Sequence, residues 1–299
     1  MTVVSMIFNC AVIVNVTFSK DLNQRICILF GNLAISDFLV SLSAFYIALL
    51  FIIEPYSTIA GSRDILIAYV PYTTSILSTI YNLVCIGIER YMTVSGNTTF
   101  KSRVTKTHIL SAVLFNWVVA IILGSLPLMG WDCSIQRGTV STLYGPFCID
   151  YLAFITIPNC AIGFILLLIS YIGIILILRK QKFCMLAHGQ FNGTFKAAEE
   201  QVAKTCIFIW ILAVVSYSPF FGGVLWDVFN TICPENLHTG VFVFRNFSAM
   251  MITLNSLGNP IIYTFKFKTI WKKFVFCKCQ SSNRVSVQDL VNATSTKPQ

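Results

Sequence analysis

The chain has 299 residues, 56% of them hydrophobic and 11% charged, with a mean hydropathy of +0.76. A soluble domain carries about a quarter charged residues, so this composition excludes a water-soluble core and shell. The net charge of +9 is spread over short segments between apolar runs, which excludes a nucleic-acid-binding patch, and the weak ten-residue alternation of a membrane barrel is missing.

Several runs exceed the roughly 20 residues that a membrane-spanning helix needs, and backbone groups in lipid must be satisfied internally, so these runs predict helices. The first extends from Thr2 to about Ser19, lacks the basic flank of a signal peptide, and carries Asn9, which needs a partner in lipid. Only eight residues precede Asn9, about 12 Å of helix against the roughly 15 Å of half a bilayer core. With Asn9 at mid-membrane, the first helix therefore reads as truncated at its outer end. The second run, from about Ile26 to Ile53, buries Asn32 and Asp37; a lone Asp deep in an apolar run is a functional-site candidate. The third, Ile65 to Val94, ends in Glu89-Arg90-Tyr91. An ionised group at mid-bilayer costs about 3 kcal/mol or more, so this pair is expected near the interface or facing protein.

The fourth run, His108 to Gly130, contains Trp117 and closes on Leu126–Trp131. The following polar loop carries Cys133 and Cys148, which are expected to be bridged in an oxidising compartment, with Cys233 as the competing partner. The fifth, Tyr151 to Leu178, contains Pro158 and Tyr171. The sixth starts with a polar turn holding Glu199 and meets Ser216-Tyr217-Ser218-Pro219, where the proline is expected to kink the helix. The seventh, Val241 to Phe265, holds Asn255, Ser256, Asn259, Pro260 and Tyr263. From Lys266 to Cys279, aromatic and apolar residues at helical spacing among basic ones predict an amphipathic helix on the membrane surface. Cys277 and Cys279 on it are candidate palmitoylation sites. Residues 280–299 are polar and predict a disordered tail, leaving residues 1–279 as one helical domain.

Arg63, Arg137 and Arg245 are the basic residues of one set of alternate loops; the other Lys and Arg lie in the opposite set or the tail. Positive charge is retained on the cytosolic side, so the C-terminus is expected there. His108, His188 and His238 lie on different loops or ends, and no catalytic or metal-ligating constellation stands out, which points away from an enzyme.

Taken in order, Asn9, Leu33-Ala34-Ile35-Ser36-Asp37, Glu89-Arg90-Tyr91, Trp117, Tyr171, Pro219 and Asn259-Pro260-Ile261-Ile262-Tyr263 resemble the motifs of rhodopsin-like (family A) G protein-coupled receptors, over residues 1 to about 279. The resemblance implies an all-α bundle of seven transmembrane helices with a short amphipathic eighth helix. It also implies a plasma-membrane receptor whose partners are an extracellular ligand, membrane lipid and a heterotrimeric G protein. No cofactor is implied beyond an allosteric sodium ion, whose site would be Asp37, Thr79, Asn255, Ser256 and Asn259; a hard cation wants such oxygen ligands. Asn32 would bond the Trp117 indole. Arg90 would be held by Glu89 and Glu199, and Tyr91, Tyr171, Pro219, Asn259, Pro260 and Tyr263 would complete the switch and coupling set.

Departures from the family pattern narrow the subgroup. Ile65 stands where the third segment usually has a Cys, Gly163 replaces the mid-helix proline of segment five, and Ser216-Tyr217 replaces Cys-Trp. The missing segment-three Cys with Cys133 and Cys148 both inside the loop, and the missing segment-five proline, resemble the melanocortin, lysophospholipid and cannabinoid receptors, and the Leu126–Trp131 run and Cys233-Pro234 step resemble adenosine receptors. Ligand residues of these subgroups do not carry over: Tyr72 replaces the Asp of amine receptors, Ala68-Tyr69 the charged pair of lysophospholipid receptors, and Val224 the Asn of adenosine receptors. Tyr69, Tyr72, Thr73 and Ile76 share one face of segment three. With Thr156, Asn159, Tyr217, Phe220, Phe221 and Arg245 they predict a site between segments three, five, six and seven for a small, largely apolar ligand. Arg245 suits an acidic group or a lipid phosphate equally. The other reading, an ion channel or transporter with Asp37 in its pathway, lacks both a polar helix face and an internal repeat.

Overall fold

Apolar runs whose side chains do not compete for backbone hydrogen bonds wind into long helices, and seven of these carry the described chain. The computed structural model describes residues 1–18, 25–54, 63–95, 104–131, 147–188, 193–229 and 239–266. In chain order they form α1 (Thr2–Phe18), α2 (Arg25–Ile53), α3 (Arg63–Val94) and α4 (Lys106–Ser125), which a 3-10 turn, Leu126–Met129, extends. α5 opens with Ile149–Tyr151, widens into a π-helical turn at Leu152–Thr156 and continues as Ile157–His188; α6 (Gly193–Phe229) and α7 (Thr239–Lys266) follow.

α2, α4 with its 3-10 extension, α5 and α6 are long and apolar enough to cross a membrane. α3 and α7 are more polar because they turn Thr73, Ser78, Thr79, Asn82, Ser248, Thr253, Asn255, Ser256 and Asn259 into the bundle. α3 is the central post, touching α2, α4, α5 and α6, while α7 closes the ring against α6, α1 and α2. The fully buried Leu77, Ile80, Leu83 and Ile86 of α3 form the axis of the core. Gly163, where a mid-helix proline was the family expectation, leaves room for the Ile80 side chain to meet the α5 backbone.

Local chemistry accounts for several turns. Gly130 closes the α4 extension at φ 107°, a left-handed conformation that glycine adopts without strain, and its N–H reaches the Leu126 carbonyl. Thr105 caps α4: its hydroxyl accepts the His108 N–H at 3.4 Å, and His108 Nδ1 accepts the Thr105 N–H at 3.2 Å. The π turn of α5 contains Phe154, four residues before Pro158, where a regular turn would press the proline ring on the carbonyl.

Two boundaries differ from the sequence reading. α5 runs to His188 rather than Leu178, and α6 begins at Gly193, because Arg, Lys and Gln end a membrane span without ending a helix. α6 stays helical across Pro219. The carbonyl of Val215, which Pro219 cannot serve for want of an N–H, instead accepts the Ser218 hydroxyl at 2.9 Å. The expected amphipathic helix beyond Lys266, with Cys277 and Cys279, and the tail lie outside the described residues.

Candidate functional site

Three places along the bundle gather the sequence-predicted residues. At mid-bundle, Asp37 on α2 is fully buried and its Oδ2 accepts from Asn259 Nδ2 on α7 at 2.8 Å. The Ser41 hydroxyl lies 2.9 Å from the Asp37 carbonyl and 2.7 Å from Ser5 Oγ on α1. Asn9 Nδ2 donates to the Ser5 carbonyl at 3.0 Å and to the Ser256 carbonyl at 2.9 Å. Ser256 stands four residues before Pro260, so its carbonyl has lost its helical donor, and a side chain from α1 replaces it. Asp37 Oδ1, Asn255 Oδ1 and Asn259 Oδ1 are buried with no hydrogen-bond partner, and the Ser256 hydroxyl is beside the carboxylate. This oxygen-only donor set fits a hard monovalent cation. Thr79, expected in the same set, donates its hydroxyl to Ser36 Oγ, beside Asp37 in α2, at 2.9 Å. Nearby, Trp117 Nε1 donates to Asn32 Oδ1 at 2.8 Å, the bond that the resemblance implied.

At one end of the bundle, Glu89 and Arg90 are both buried. Arg90 Nε donates to Glu89 Oε2 at 2.6 Å, the Nη2 group pairs with the same oxygen, and Thr93 Oγ1 donates to Glu89 Oε1 at 3.1 Å. Tyr171 is buried with its ring 6.0 Å from that of Trp210 on α6. Tyr91 is half exposed, and its ring lies against Gly173 of α5. Gln181 Nε2 on α5 donates to the Val94 carbonyl at 2.8 Å, closing the end of α3. Pro219 and Pro260 lie within α6 and α7. Glu199 and Tyr263 lie on those helices, with side chains outside the described set.

Toward the opposite end lies a cavity of about 240 Å³. Tyr69, Tyr72, Thr73 and Ile76 of α3, Thr156 of α5, Phe220 of α6 and Arg245 of α7 line it, as the sequence pattern placed them. Asn159, Tyr217 and Phe221 do not. Asn159 Oδ1 accepts from Tyr81 OH at 2.9 Å in the α3–α5 seam, and Tyr217 and Phe221 pack against Phe164 with centroids 6.0 and 5.9 Å away. Rings fill the α5 side: Phe147 stacks on Tyr151 at 5.5 Å and meets Tyr69 edge-on at 5.4 Å. The open space therefore shifts toward α2 and α7, where Ala44, Ile47, Ala48, Phe51, Ser248, Ile252 and Thr253 complete the wall. Sequence reasoning missed this α2 face; the signal was Ala44 and Ala48, small residues one turn apart in a bulky helix.

Arg245 is half-buried; its Nη2 donates to Tyr69 OH at 2.8 Å, and its Cζ stands 5.2 Å from the Phe51 ring centre. Cys148 is disulfide-bonded; its expected partner Cys133, like the competitor Cys233, lies outside the described residues.

Comparison with known proteins agrees with this layout. The family model for the 7 transmembrane receptor (rhodopsin family) matches residues 8–263. Among similar proteins, lysophosphatidic acid receptor 1-B of Xenopus laevis is 25% identical over 283 residues, 94% of this chain and 74% of that protein. Lysophosphatidic acid receptor 3 of Rattus norvegicus is 26% identical over 278 residues, 92% of this chain and 76% of its own. Human lysophosphatidic acid receptor 1 is 25% identical over 279 residues, 93% and 74% of the two chains.

Proposed function

We propose, from the premise that the chain belongs to the rhodopsin family of 7 transmembrane receptors, that this G protein-coupled receptor takes a small, lipid-like ligand from outside the cell and signals to a heterotrimeric G protein at its Arg90 end. The plasma membrane is its place, with the C-terminus in the cytosol. The observation that carries the reading is the pairing of an apolar, partly aromatic cavity at one end with a buried Arg90–Glu89 pair at the other. The names of the similar receptors support a lipid-like ligand.

Arg90 is held by Glu89 inside the bundle and cannot meet a partner there. A ligand that favours an arrangement with α6 swung away shifts the population toward an accessible Arg90, by no more than its differential affinity for the two arrangements. Asp37, Asn255, Ser256 and Asn259 would hold a sodium ion between the two ends, with Thr79 supporting through Ser36. The ion would supply fixed positive charge that favours the closed arrangement.

The test is nucleotide exchange on G protein by the full-length receptor at matched surface density, screened against lipids, nucleosides, amines and peptides. A lipid-like agonist is expected, with potency reduced about tenfold or more by Phe220→Ala or Tyr72→Ala, since each removes a large buried contact. An agonist whose potency neither variant changes would place the ligand elsewhere.

A further inference from the structure

We propose that Tyr217 brings α6 into the cation site by adding its phenol oxygen to the ligands from α2 and α7; this rests on the Asp37 cluster holding a sodium ion. Tyr217 is fully buried on α6, and its ring is set by Phe164 of α5, with centroids 6.0 Å apart. Its hydroxyl stands beside the Asn255 side chain of α7 and within electrostatic reach of Asp37. Neither the hydroxyl nor either atom of the Asn255 amide completes a hydrogen bond, so the two groups face each other without joining. Asp37 Oδ1, Ser256 Oγ and Asn259 Oδ1 are buried in the same unpaired state, and Asn255 and Asn259 share one face of α7, a turn apart. Buried polar atoms are paired as a rule. Oxygens from three helices that lack partners at one level call for a common one, and a hard cation serves several oxygens at once.

The chemistry of this position is particular to the chain, because Ser216-Tyr217 replaces the Cys-Trp of the family pattern. An indole offers only an N–H donor, which cannot ligate a cation, whereas a phenol oxygen has lone pairs to give. Asp37 belongs to α2 and Asn255, Ser256 and Asn259 to α7, so an ion held by these alone has no direct ligand on α6. A ligand with equal affinity for two arrangements shifts neither. Tyr217 lies two residues before Pro219, on the part of α6 that a bend at the proline carries away. With the phenol among its ligands, the ion loses one oxygen when α6 swings, and it favours the closed arrangement by that oxygen's share of its affinity.

The experiment follows thermal unfolding of the purified full-length receptor, and its ligand-free nucleotide exchange, in sodium chloride and in choline chloride at equal ionic strength. Sodium is expected to raise the midpoint of the unaltered receptor and to lower its exchange. In Tyr217→Phe the sodium concentration for half of each effect is expected to rise about tenfold or more, with the midpoint in choline close to that of the unaltered receptor. Tyr217→Trp, which also lacks the oxygen, is expected to follow Tyr217→Phe, and Asp37→Asn to abolish the sodium response. The proposal is overturned if Tyr217→Phe keeps the full sodium response. It is overturned equally if Tyr217→Phe lowers the midpoint by the same amount in both salts, the mark of a phenol that serves packing alone. In either case a response lost in Asp37→Asn leaves the cation reading standing. If the unaltered receptor is no more stable in sodium than in choline, both fall.

Discussion

At Gly173 the missing side chain is what lets Tyr91 lie on α5: a Cβ built there would stand 2.6 Å from a carbon of the ring. Real side chains do not approach so closely, so Gly173→Ala must push the ring away or part α3 from α5. Overpacking of this kind costs about 1–3 kcal/mol. The expected outcome is a lowered unfolding midpoint for Gly173→Ala that Tyr91→Ala in the same chain restores, a non-additivity read from a double-mutant cycle. Additive losses would show that the two residues do not meet. Single residues in the sequence announced some contacts and hid others. Asn32 and Trp117 are lone polar groups in apolar helices, and such groups in lipid find each other; they are 2.8 Å apart. Thr79 sits at the depth of Asp37 and its hydroxyl donates to the neighbouring Ser36; sequence spacing gives a residue's height in the bundle more securely than its rotamer.

On the proposed reading, the sixth helix acts as the switch. Glu199 lies twenty residues before Pro219, about 30 Å along the axis, which brings it level with the Arg90 end. On that reading, a carboxylate at this height pairs with the Arg90 guanidinium only while α6 is closed. At the strength of a surface ion pair it would be worth about 1 kcal/mol, or about fivefold in the closed-to-open ratio. Glu199→Ala is expected to raise ligand-free exchange a few-fold, and Arg90→Ala to abolish coupling with surface expression intact. Unchanged basal exchange in Glu199→Ala would leave that glutamate as a helix-start charge favoured by the dipole alone. The helices themselves were legible because apolar length dictates a span. Their ends were not. Hydropathy marks where lipid stops, and α5 continues for ten residues beyond the predicted Leu178, to His188, on residues that favour helix as readily in water.

Across the whole molecule, α1, α2 and α7 are joined by one polar seam, from Asn9 through Ser5 and Ser41 to Asp37 and Asn259. Its residues stood out in the sequence as polar groups at matching depth. The cavity's shift toward α2 did not, because it depends on helix rotation and on Phe147 returning over Tyr69 and Tyr151. Asn9→Leu is expected to destabilise the receptor by about 1–3 kcal/mol, the cost of leaving the Ser256 carbonyl unpaired in a dry interior. Adding Pro260→Ala gives that carbonyl back an N–H donor from its own helix. Thermal unfolding of the double variant should therefore recover part of the loss; no recovery would mean that Asn9 acts elsewhere.

The prolines of α6 and α7 are mended in different ways. The carbonyl freed by Pro219 takes its hydrogen from Ser218 in the same turn, whereas the one freed by Pro260 takes it from Asn9 on another helix. When α6 turns at its proline, the substitute donor travels with it and no bond to a neighbour is broken on that account. α7 has no such independence: bending at Pro260 must either drag α1 along or strip a buried oxygen of its partner. One proline is a free-standing pivot and the other is moored, so a bend at α6 is expected to cost less than one at α7, which α1 holds in place.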